Sequence, residues 1–122
     1  MTTVTQAEID EFRAKLGDIP ELQETVDTLE ECDWILEDAT MLIASRAGEP
    51  VEMGDSLLEN LVEKSRKHLC KPEVKAGWSD LKDVLDILKE FLPTPAPLAV
   101  TCLFKLSEIG LRNLCGSAES ET

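Results

Sequence analysis

Residues 81–114 read LKDVLDILKEFLPTPAPLAVTCLFKLSEIGLRNL, two apolar segments joined by Pro93-Thr94-Pro95-Ala96-Pro97. From Leu98 onward Thr101, Lys105, Glu108 and Arg112 are the strongly polar positions along one line. Their spacing places them on one narrow stripe of a helix. Around the rest of the circumference stand Val100, Cys102, Leu103, Phe104, Leu106, Ile109, Leu111 and Leu114. A helix apolar over most of its surface must be covered on several sides. The pattern therefore predicts residues 98–114 as the central helix of a bundle.

The prolines before it fix φ at three positions and disfavour helix at the residue preceding each, so the connector is a rigid corner. In the segment ahead of it, Leu81, Val84, Leu85, Leu88, Phe91 and Leu92 share one helical face, with Ser79 as the expected cap. Earlier still, Leu57, Leu58, Leu61, Val62 and Leu69 predict a helix starting at Asp55 or Ser56 and ending before Pro72. A loop with Gly48, Pro50 and Gly54 precedes it over residues 47–55.

The N-terminal half begins with Thr5-Gln6-Ala7-Glu8, a capping box. Ile9, Phe12 and Leu16 follow at helical spacing, and Gly17 is the expected stop. Asp18-Ile19-Pro20-Glu21 then predicts a new start, with Asp18 as cap and Pro20 in the first turn. Leu22, Val26, Leu29, Cys32, Leu36, Ala39 and Ile43 read as one continuous stripe, predicting a single helix from about residue 20 to Ser45. Two features fit it badly. Asp33 falls near the middle of the stripe, and Trp34 and Met41 project away from it.

Together these readings predict an all-α fold, a compact single-domain bundle of about five helices over residues 1–116. Residues 117–122 read as a polar tail. The capped first helix and this tail lead us to expect a free-standing protein.

The chain has 122 residues and a formal net charge of -13. Residues 1–63 hold seventeen acidic side chains against three basic, a net of -14, and residues 64–122 hold eight against nine, a net of +1. An acidic body of this kind repels nucleic-acid phosphate, so direct nucleic-acid binding is not expected. The C-terminal segment is too short and too charged for a membrane span. Cys32, Cys70, Cys102 and Cys115 occur singly, in no zinc or disulfide-framework spacing, which leads us to expect a reducing, cytoplasmic setting.

Catalytic candidates are few. The single histidine, His68, lies two positions from Cys70, so on a helix the two side chains diverge. The magnesium pattern of all-α nucleotide pyrophosphohydrolases pairs Glu-Glu-x-x-Glu with Glu-x-x-Asp. Here Glu30-Glu31 is followed by Trp34 at the third acidic position, and Glu24 with Asp27 comes before the pair. No catalytic residue, metal ligand or cofactor is assigned.

The function expected is that of a non-enzymatic interaction protein: an adaptor, regulator or assembly subunit. Glu31, Glu37 and Asp38 would form an acidic helix face, with Trp34 and Met41 as apolar anchors for a partner of basic and apolar character. The basic cluster at Lys64, Lys67 and Lys71 complements a helix C-terminus, and it also offers an acidic partner or a second copy a place to dock. Two alternatives stand beside this reading. One is an acidic inhibitor imitating nucleic-acid charge; the other is a magnesium- or manganese-dependent hydrolase using the Glu30–Asp38 cluster.

Overall fold

The computed structural model of the chain describes residues 2–48, 54–92 and 95–115. The connector's Pro93 and Thr94, most of the 47–55 loop, Gly116 and the expected tail at 117–122 lie outside the described residues, as do the side chains of Asp55, Leu111 and Arg112.

The protein is all-helical. Its long helices are α1 (Gln6–Leu16), α2 (Pro20–Glu31), α3 (Leu36–Arg46), α4 (Gly54–Leu69), α6 (Leu81–Phe91) and α7 (Ala96–Ile109). Two single turns, α5 (Pro72–Lys75) and α8 (Leu111–Leu114), complete the order. The count exceeds the five expected for three reasons: the helix read as continuous to Ser45 is two helices, α5 is an added turn, and the helix read over residues 98–114 is broken at Gly110 (φ 97°), which leaves α8 as a separate turn.

The break falls at the two residues that spoiled the stripe. Asp33 (φ 56°) and Trp34 (φ 65°) both adopt left-handed backbone. The Trp34 amide donates to the Leu29 carbonyl at 2.7 Å, the closing bond of a Schellman-type C-terminus in which Asp33 stands where glycine is usual. Ile35, extended, then starts α3. The N-terminal segment pairs with this turn. The Val4 amide donates to the Trp34 carbonyl and the Leu36 amide to the Thr2 carbonyl, both at 2.8 Å, with a lone antiparallel bridge between Thr3 and Ile35. A helix-terminal amide of α3 is thus satisfied by the chain's own N-terminal segment.

The expected caps hold in part. Thr5 and Glu8 form the reciprocal capping box of α1. At α2 the cap position is Ile19, without a side-chain bond, and Pro20 opens the helix. At α6 the cap is Asp80 rather than Ser79, accepting from the Asp83 amide.

On α7, every residue from Pro97 to Phe104 is buried, as is Leu106, and the helix packs against α2, α3, α4, α6 and α8. Phe104 stacks in parallel on Phe12 of α1, ring centroids 4.0 Å apart. Thr101, one member of the polar stripe, is buried and donates to the Leu98 carbonyl. That local bond makes a hydroxyl acceptable in an apolar interior. Among the described residues no helix is long and apolar enough to cross a membrane.

Cys70 and Cys115 form a disulfide spanning 45 residues of sequence, tying the end of α4 to the chain just beyond α8. The cysteine spacings pointed to no disulfide framework, yet this one bond forms, and the reducing setting inferred from those spacings loses that support. Helix packing, not sequence spacing, brings the two sulfurs together. Cys32 and Cys102 are free thiols.

Candidate functional site

The helix break and the N-terminal segment together build an unusual carboxylate. Glu37, in the first turn of α3, is only 7% exposed. Its Oε1 accepts from the Thr2 amide and its Oε2 from the Thr2 hydroxyl, both at 2.7 Å. Burial works to raise this carboxyl's pKa, but the Thr2 hydroxyl and amide bonds outweigh burial and hold it below the ordinary value. Lys105 Nζ on α7 donates to the same Thr2 hydroxyl at 2.9 Å and lies 3.6 Å from Glu108. A polar chain from α3 through the N-terminal segment to α7 results.

This chain borders a groove of about 560 Å³. Glu37 and Lys105 line it, with Leu58, Glu59, Val62 and Glu63 of α4 and Ile109 at the end of α7 among its other walls. Leu58 and Val62 are buried, whereas Ile109 is 42% exposed. The groove therefore has an apolar floor, an apolar lip and a predominance of carboxylates.

The residues expected to meet a partner are dispersed. Glu37 belongs to the polar chain just described and not to an open acidic face. Glu31 is exposed and takes both guanidinium nitrogens of Arg46, at 2.9 and 3.0 Å. That bond, against a small opposing burial effect, holds the Glu31 carboxyl below its ordinary value. Asp38 is exposed. Trp34 is half-buried and packed against the core, and Met41 is half-buried. The expected apolar ridge through Trp34 and Met41 is thus partly absorbed into the interior. Asp33, whose burial the continuous-helix reading raised as a question, is exposed, because the chain turns there.

Lys64, Lys67 and Lys71 are all exposed along the end of α4 and the start of α5. Lys67 lies 3.8 Å from Glu63, which also holds Arg66. His68 is half-buried and stacks on Phe91 at 4.1 Å. The groove on α4 was missed by sequence reasoning. Its signal was available in Leu58-Glu59 and Val62-Glu63, an apolar-acidic pair repeated one helical turn apart.

The acidic cluster does not converge. Glu31 points to Arg46, Glu37 to Thr2, and Asp38 stands in solvent. Among the described residues, no group of three or more His, Cys, Asp or Glu side chains is placed to hold a metal ion. Cys32 lies among Asp38, Glu31 and Asp33, and burial first, then these charges, raise its thiol pKa. A nucleophilic thiol needs the opposite surroundings. Compared with known proteins, the chain matches no family model, no curated protein and no solved structure.

Proposed function

We propose that the protein is a non-enzymatic interaction module that recognises a partner of basic and apolar character through its acidic N-terminal half. One observation carries this reading. Glu24, Glu30, Asp33 and Asp38 stand exposed on α2, the break and the first turn of α3, and none of them forms an ion pair among the described residues. Unpaired like charges in one half of the chain raise the local potential and steer oppositely charged partners. In this reading α7 is the central rod that holds α2 and α3 in fixed relation, and Trp34 and Met41 supply what exposed apolar area the surface retains. A cytoplasmic location is part of the same proposal and is checked by whether Cys70 and Cys115 are joined in the native cell.

The test is affinity capture from native cell extract at about 50 mM and about 500 mM salt, where the Debye length shrinks severalfold. Basic partners retained only at low salt support the reading. Partners displaced by duplex DNA would instead assign the acidic surface to imitation of nucleic-acid charge. Failure to retain any partner, together with turnover of a nucleotide, would overturn it.

A further inference from the structure

The groove between α3, α4 and α7 offers more definite chemistry than the acidic surface as a whole. Ile109 is the one large hydrophobic side chain more than a third exposed among the described residues. Single exposed apolar residues are common and need no explanation. This one stands on the lip of the groove, over the floor formed by Leu58 and Val62. The two features reinforce each other, since an apolar side chain seated there would cover Ile109 and enter the groove at once.

The charges around it select the sign of the occupant. Three glutamates line the groove against one lysine, and that lysine's ammonium is already engaged by Thr2 and Glu108. Glu63 has Arg66 beside it, while Glu59 is exposed and forms no ion pair among the described residues. Leu58 and Val62, like Glu59 and Glu63, are four residues apart, a step of about 6 Å along α4. An amphipathic helix laid beside α4 repeats its own side chains at that same step.

We propose that this groove docks a basic amphipathic helix of a protein partner. An aliphatic side chain enters between Leu58 and Ile109, and a lysine or arginine meets Glu59. The inference rests on the acidic-module reading above, but it commits to a different face from that of α2 and the break.

The test uses the isotope-labelled full chain, titrated in about 150 mM salt with a synthetic leucine-lysine amphipathic peptide of about 14 residues, and with the same peptide carrying serine for leucine. The expected result is saturable binding of the leucine peptide, one per chain, with amide shifts at residues 58–63 and 105–109 and no saturable binding of the serine version. Ile109→Asp and Glu59→Lys should each weaken binding by about tenfold. Both positions are exposed, and an unchanged melting curve verifies that each variant folds. If both peptides bind alike over α2 and the break, indifferent to Ile109→Asp, the groove inference falls and the acidic-module reading survives. If neither peptide binds, the groove inference falls alone, since capture from extract judges the wider reading. Shifts at residues 58–63 that grow with protein concentration and no peptide would give the groove to a second copy, and also overturn the proposal.

Discussion

Two adjacent side chains, Asp33 and Trp34, carry the left-handed backbone that ends α2. Aspartate tolerates this conformation better than most residues, and a β-branched side chain does not. In urea unfolding, Asp33→Gly should be neutral or stabilising by up to about 1 kcal/mol, while Asp33→Val should cost about 1–2 kcal/mol. Equal losses in both variants would mean that the turn depends on the Asp33 side chain and not on its backbone. Nearby, Glu37 sets part of the acid limit of stability. Its folded pKa is depressed, so its contribution is complete above the unfolded value, near 4.3, and drains away as pH falls through the folded one. Stability measured between about pH 5 and pH 2 should therefore fall less steeply in Glu37→Gln than in wild type. Thr2→Val, which removes the hydroxyl bond, should reduce the steepness in the same direction. The composition could not disclose this pair. A glutamate among eleven acidic neighbours in residues 8–38 carries no mark of burial, because its partner lies 35 residues away.

At the scale of elements, apolar periodicity made α1, α4, α6 and α7 legible, since each buries one face or nearly all of itself. It misread α2 and α3, whose stripes happen to stay in phase across the turn. The phase was preserved because Leu29 and Leu36, on either side, are both fully buried in the same core. What betrayed the break was an aspartate where a core residue belonged. The disulfide was illegible for a related reason: it joins a helix end to a turn that meets it only after α6 and α7 have packed. Closing 45 residues, the Cys70–Cys115 bond should contribute about 2–4 kcal/mol, read as the loss of stability in Cys70→Ser with Cys115→Ser. The free thiols make a second check. Burial, eased by its bond to Ser65, pushes Cys102 up to about 11, and Cys32 is half-buried. Alkylation of the native, unreduced protein near pH 8 should modify Cys32 first, with Cys102 protected until the fold opens. Rapid labelling of Cys102 would place it nearer the surface than the structure does.

For the whole molecule, the uneven charge was plain in the sequence, and the fold sets α2 and α3, both from the acidic half, side by side. The groove was not plain, because it needs the end of α7 beside α4, a relation between segments some fifty residues apart. The proposed function draws on both features: recognition by charge, with an apolar contact to hold the complex. The most direct measurement is the association rate of the captured basic partner across ionic strength, for wild type and for Asp33→Lys with Asp38→Lys. Charge-led recognition predicts a wild-type rate that falls steeply as salt rises and a slower, nearly salt-independent rate in the reversed variant. Rates that coincide at every ionic strength would contradict it.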